Sequence, residues 1–347
     1  MSALMDLIER LSLAFGPSGC EGAVEGLIRR ELEGLSLELS TDRMGNLTAH
    51  IPGPEGAPRV LLSAHMDEVG FMITEIEEKG FLRFSNLGGI DPLVLCGRAV
   101  VIGDEQKRVR GVISAKGIHF QDADERKKMP EPKDMYIDIG VNSKEEAEQF
   151  VALGDFGTFD TSFLCFGKDQ AYFSGKAIDD RAGCALLIEV LRAVAGKSLP
   201  IDLYVAFTVR EEIGISGATV VANRIAPDVA IVIESTAMAD LPNVDAARRV
   251  ADMGKGGVLS LLDRGTIYDR DLIALALDVG KNREIPVQVK RYVSGGNDAA
   301  HIQRTGVGVR CMALSLPTRY LHAPVSVAKK SDAEAMLVLL LAMLETM

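Results

Sequence analysis

The chain has 347 residues, 38 Lys+Arg and 49 Asp+Glu, for a formal net charge of −11. A hydrophobic share of 47% excludes a disordered chain, and five Cys are too sparse and odd in number for a disulfide scaffold. The acidic balance disfavours a nucleic-acid binder, and no apolar run reaches the ~20 residues that span a bilayer.

The opening run Met1-Ser2-Ala3-Leu4-Met5-Asp6 lacks the basic stretch and cleavage site of a secretory leader. The expectation is a cytoplasmic globular protein with no membrane partner. Its length exceeds the ~100–200 residues of an ordinary domain.

Leu4, Leu7, Ile8 and Leu11 recur at helical spacing, and Pro17-Ser18-Gly19 breaks the pattern. A second helix is predicted over about 21–35. Strands follow at 46–51 and 59–64, the latter almost wholly apolar, as in a strand buried on both faces.

From 69 to 172 the texture changes. Short β-rich runs at 71–74, 81–84, 99–102, 109–113 and 136–139 alternate with glycine turns. His119 to Lys133 reads as a polar loop. Ser143 to Leu153 reads as a capped helix.

After Gly175, α/β alternation returns. Helices are predicted at 179–194, 217–224, 268–282, 296–304 and 331–344. Strands are predicted at 201–209, 229–233, 286–292 and 308–316. The expected class is α/β: a mixed central sheet flanked by helices, built from 1–68 and 173–347. An inserted β-barrel or β-sandwich occupies 69–172.

Several apolar strand patterns end in metal-ligand residue types. Val60 to Ala64 leads into His65-Met66-Asp67-Glu68, and Leu203 to Val209 into Arg210-Glu211-Glu212. Val229 to Ile233 leads into Glu234, and Cys311 to Leu316 runs on to His322. Asp179-Asp180 opens a helix. Ligands in open α/β sheets gather beyond the carboxyl ends of strands, so these segments are expected to share one crevice. Two His with several carboxylates and no Cys suit Zn²⁺, Co²⁺ or Mn²⁺. Taken singly, His65 reads as a core histidine, Glu211-Glu212 as a solvated helix start and Asp179-Asp180 as a cap.

Together, His65-Met66-Asp67-Glu68-Val69-Gly70, Ala177-Ile178-Asp179-Asp180-Arg181-Ala182-Gly183, Arg210-Glu211-Glu212-Ile213-Gly214 and Pro317-Thr318-Arg319-Tyr320-Leu321-His322 resemble the tetrahedral, or glutamyl, aminopeptidase family. These are dinuclear metallo-aminopeptidases of zinc-peptidase-like fold, some labelled endoglucanase. The resemblance covers essentially the whole chain. It implies His65 and Glu234 on one metal, His322 and Glu212 on the other, and Asp179 bridging them, by its spacing to Gly183. It implies Glu211 as general base and Asp67 as the group that orients His65. It further implies two divalent ions per subunit, hydrolysis of the N-terminal residue of short peptides by a hydroxide between the ions, and a homo-oligomer, commonly a dodecamer, assembled through the insert.

Two positions depart from the family pattern: Glu234, where relatives often carry Asp, and Asn297, where Thr is common. The loop around Asn297 is expected to line the substrate pocket. His50 and His301 read as structural, and His119 as exposed. The Gly254-Lys255-Gly256-Gly257 run lacks the spacing of a phosphate loop and reads as a bend near the active-site mouth. The other functions considered are a metal-dependent deacylase, an endoglucanase and a catalytically silent assembly protein.

Overall fold

The computed structural model describes residues 3–104 and 106–347. Met1 and Ser2, part of the run read above for a leader, lie outside them. An eight-stranded mixed sheet forms the centre. Its spatial order is Glu38–Thr41, Leu47–Ile51, Asp202–Thr208, Arg59–His65, Val229–Ala237, Arg310–Thr318, Gly257–Leu259, Val287–Val289.

The four middle strands are parallel. Arg59–His65 is buried from Val60 onward, and Val229–Ala237 up to its last residue. Burial on both faces explains why these segments are continuous apolar runs rather than alternating ones. The outer pairings at both flanks bring in antiparallel strands.

The helix Ile178–Val194 crosses Arg59–His65 and Val229–Ala237. Ala3–Leu13 and Lys330–Leu344 cover it in turn. Enclosure on nearly all sides accounts for its lack of a polar face. Ser216–Ile225 and Ala299–Ile302 pack on each other and against the sheet.

Between Gly70 and Phe159 six antiparallel strands close into a barrel: Gly70–Ile76, Leu82–Leu87, Met135–Asp138, Arg108–Ala115, Ala99–Gly103, Phe156–Phe159. Closure removes the exposed edges that a short sheet would leave. The barrel has its own core, in which Phe71 meets Phe84 and Phe159 edge-on with ring centroids 5.2 Å apart. Of barrel and sandwich, the barrel is what forms.

Several elements differ from the sequence expectation. The helix at 143–153 is one turn, Lys144–Ala147, capped by Ser143. It stops because the chain must rejoin the barrel, where the Gly154 N–H donates to Ile73 O. The strand at 229–233 runs on to Ala237, so Glu234 lies inside it, opposite Ser315. The helix at 296–304 shrinks to Ala299–Ile302. The run His119 to Lys133 overlaps three short 3₁₀ turns, Ile118–Phe120, Glu125–Lys127 and Pro132–Asp134. The bend at Gly254 is tied to Asp332 at the start of the closing helix, and the glycines there do not line the crevice described next.

Candidate metal centre

The parallel strands deliver their carboxyl ends to one side of the sheet. His65 ends its strand and sits level with Thr208 in the register. Glu211 and Glu212 follow three and four residues after Thr208, past Arg210, whose φ of +57° turns the chain sharply. His322, with φ +56°, lies just beyond the strand Arg310–Thr318. Such left-handed residues at strand ends mark a backbone bent to aim side chains. A crevice of about 680 Å³ opens there, lined by Asp179, Glu211, Glu212, Glu234 and His322 among others.

Two sets of donor atoms fall within 4.8 Å of one another: His65, Asp179 and Glu234, and Asp179, Glu212 and His322. Asp179 belongs to both. Its Oδ1 lies 3.3 Å from His65 Nε2, and its Oδ2 lies 3.6 Å from His322 Nε2. Glu234 Oε1 is 3.5 Å from His65 Nε2, and Glu212 Oε1 is 3.2 Å from His322 Nε2. A third set, His65 with Glu211 and Glu212, meets the same limit and puts Glu211 at the border of the same space.

The donor chemistry fits divalent cations. Asp179 Oδ1 is buried and accepts no hydrogen bond, an orphan that a cation would satisfy. Burial raises the pKa of Glu234 first, and the charge of Asp179 adds to it, holding it well above the usual carboxylate range. Burial opposes a charged His322 ring, but the facing carboxylates of Asp179 and Glu212 prevail and push its pKa up to about 11. Clustered carboxylates thus draw in positive charge, and a divalent ion supplies it without protonating the ligands.

Asp67 is wholly buried. His65 Nδ1 lies 3.1 Å from the Asp67 main-chain oxygen and 3.5 Å from its Oδ1. The carboxylate also accepts the backbone N–H groups of Glu211, at 2.9 Å, and Glu212, at 3.1 Å, and the Ser18 hydroxyl. Burial would raise its pKa, yet hydrogen bonds from His65, Ser18 and Glu211 keep it low and ionised.

Asp180 faces elsewhere. It accepts from Gly183 N at 3.1 Å and His65 N at 3.3 Å, folded back over its own helix. A Cβ on Gly183 would lie 2.3 Å from Asp180 Oδ1, so a larger residue there would displace that carboxylate. The peptide joining Asp179 to Asp180 is cis.

The profile of M42 glutamyl aminopeptidases matches residues 45–339. The chain belongs to the M42 glutamyl aminopeptidase family. It is 31% identical over 344 residues to the lysyl aminopeptidase of Pyrococcus furiosus, covering 98% of this chain and 96% of that one. The TET aminopeptidase of a marine sediment Thaumarchaeota archaeon superposes with a TM-score of 0.95 at 35% identity, over 99% and 96% of the two chains. The structure of PhTET1-12s, a dodecamer in its asymmetric unit, superposes with a TM-score of 0.89 at 33% identity, over the full length of both.

In this M42 chain the remaining histidines lie apart from the donor sets. His50 stacks on Tyr204 and meets Asp202 at 2.8 Å, and His301 meets Thr219 at 3.0 Å. His119 is exposed. Asn297 donates to the Tyr268 hydroxyl at 3.0 Å and lines the crevice, beside Lys290. Sequence reasoning missed one buried M42 network altogether. Glu68 Oε1 meets Lys176 Nζ at 2.6 Å and Arg181 at 3.4 Å, and its Oε2 accepts from Thr158 of the barrel at 2.9 Å. The available signal was that Glu68 and Arg181 sit inside two of the motifs quoted above, with Lys176 just before the second.

Proposed function

We propose that this chain is a metal-dependent aminopeptidase that removes the N-terminal residue of short peptides at two divalent ions. The observation that carries the reading is Asp179, whose two carboxylate oxygens face different histidines. His65 and Glu234 would hold one ion, and Glu212 and His322 the other, with Asp179 shared. Zn²⁺ or Co²⁺ suits this donor set, and Mn²⁺ is a further fit. When bound, the ions would acidify a water between them and polarise the scissile carbonyl.

Glu211 does the proton work. Burial first, then the charges of Glu234, Asp298 and Glu212, hold its carboxyl well above the ordinary range. With cations offsetting those charges it would be ionised, and such a carboxylate can take a proton from the attacking water and pass it to the leaving amine. Asp67 orients His65 and anchors the Glu211 backbone. The crevice's carboxylates favour a free α-ammonium, which accounts for attack at the chain end.

The barrel segment, 69–172, is the proposed assembly module. Ile118, Phe120 and Met129 expose apolar surface there, and PhTET1-12s, similar over its full length, is a dodecamer. No helix among the described residues is long and apolar enough to cross a membrane.

The test is Glu211→Gln. The variant should bind wild-type amounts of metal and lose about 10²–10⁴-fold in kcat on aminoacyl substrates. Near wild-type turnover with metals bound would overturn the mechanism. Release of reducing sugar that survives chelation would instead indicate a glucanase.

A further inference from the structure

The two histidines of the metal centre are oriented by different parts of the molecule. His65 Nδ1 is held by its own segment, 3.1 Å from the main-chain oxygen of Asp67. His322 Nδ1 is held by the barrel, 2.8 Å from the Gly89 carbonyl oxygen. A carbonyl can only accept, so Nδ1 of His322 carries a proton. Its Nε2 is then the atom aimed at Glu212 and Asp179, at 3.2 and 3.6 Å.

Gly89 follows the barrel strand Leu82–Leu87, whose last residue pairs with Gly70. On the far side the Asp91 carboxylate caps a turn by accepting from Leu93 N at 2.9 Å. Between these anchors Gly88 has φ +85°. A Cβ there would lie 2.8 Å from Val69 Cγ1, 3.3 Å from Glu212 Cβ and 3.4 Å from Glu212 Oε2. The segment is therefore wedged against both side chains, Glu212 and His322, that make up one half of the centre. Nothing comparable from the barrel reaches Glu234 or His65 among the hydrogen bonds of the described residues.

We propose that Gly88 and Gly89 of the barrel are positioning residues for one of the two ions. The Gly89 carbonyl fixes the tautomer and ring plane of His322, and Gly88 leaves the space Glu212 occupies. The inference rests on the two-ion reading above. Its consequence is asymmetry. Affinity at Asp179–Glu212–His322 depends on how the barrel sits, and affinity at Asp179–His65–Glu234 does not. An oriented hydrogen bond behind a ligating histidine is commonly worth 10–100-fold in metal affinity.

The experiment is a Co²⁺ titration of metal-free protein, followed by visible absorption and by equilibrium dialysis. Wild type is compared with Gly88→Ala and Gly97→Ala. Gly97 lies in the same barrel at φ +79° with no atom near its would-be Cβ, so it shares the backbone strain without the contact. Wild type and Gly97→Ala should bind two Co²⁺ per chain with unchanged affinities. Gly88→Ala should keep one at wild-type affinity and bind the second at least tenfold more weakly.

Fewer than two Co²⁺ in wild type overturns the two-ion reading, and this inference with it. Two in wild type with an unchanged second affinity in Gly88→Ala overturns the inference alone. So does equal weakening in Gly88→Ala and Gly97→Ala, or weakening of the first ion. If Gly88→Ala does not fold, the double variant Gly88→Ala/Val69→Ala removes the tighter contact and keeps the one with Glu212. The same two-ion comparison then decides.

Discussion

Asp67 and Glu211 stand 144 positions apart in the chain and are joined by a 2.9 Å hydrogen bond from the Glu211 N–H to Asp67 Oδ1. The other carboxylate oxygen takes the N–H of Glu212 at 3.1 Å and the Ser18 hydroxyl. One buried carboxylate thus ties the proposed base and its neighbouring ligand to the segment that carries His65. Asp67→Asn would replace one acceptor oxygen with an NH₂ group, which cannot accept from a backbone N–H. The expected result is a loss of about 1–3 kcal/mol in stability for the unmet donor. kcat should also fall at least tenfold as Glu211 shifts. Thermal unfolding and steady-state kinetics check the two parts.

Glu21 provides a pH prediction. Its Oε1 accepts from Gly19 N at 2.8 Å and Arg210 N at 3.1 Å. Burial first, then the charge of Asp67, raises its pKa from 4.5 to about 7. The folded state then binds this proton more tightly than the unfolded state does. The stability contribution is full below about pH 4.5 and is lost as pH rises to about 7. Gln keeps the accepting oxygen and cannot ionise. Glu21→Gln should therefore match wild type near pH 4.5 and become more stable above pH 7, by up to about 3 kcal/mol at 1.36 kcal/mol per pKa unit. Metal-free unfolding curves at several pH values measure the difference, and a constant offset would contradict it.

Glu68 balances Lys176 and Arg181 in a fully buried cluster. Burial pulls the Lys176 pKa down to about 8, although Glu68 opposes the shift. Removing the only carboxylate of the three leaves two cations without compensation. Glu68→Ala should cost about 3–5 kcal/mol, the typical penalty for breaking one side of a buried pair. Thr158→Val removes only the barrel's 2.9 Å hydrogen bond to Glu68, and about 1 kcal/mol is expected. Denaturant unfolding of the two variants tests this order.

Chelation should abolish peptidase activity, and Zn²⁺, Co²⁺ or Mn²⁺ should restore it. The metal-free protein should also melt lower, because an ion that binds only the folded state adds RT ln(1 + [L]/Kd) to stability. Calorimetry with and without added metal reads this directly. An unchanged melting temperature would argue against ions at the buried carboxylates.

Much of the fold and most of the candidate centre were legible in the sequence. The four parallel strands are apolar runs because both their faces are covered. His65, Glu211, Glu212, Glu234 and His322 stand out because each comes after such a run, whereas Asp179 opens a helix. Glu234 was harder to place, since its strand continues three residues beyond it, through Ser235, Thr236 and Ala237. Those residues stay in the strand through pairing with Leu316, Pro317 and Thr318, and pairing is not a local property. The turn at Lys144–Ala147 was overread as a longer helix for a related reason. Its local pattern is helical, but the barrel reclaims the chain at Gly154.

The sequence by itself determined the α/β class, the order of the strands and the residue types gathered near their ends, because burial and strand periodicity are written in consecutive residues. Only the tertiary structure decided which donors face each other, that Asp67 holds the Glu211 and Glu212 backbone, and that a barrel carbonyl orients His322. The physical reason is that these contacts run through backbone groups and close approaches between distant segments. Every residue but proline carries the same N–H and C=O, so residue identity says little about which of them will meet.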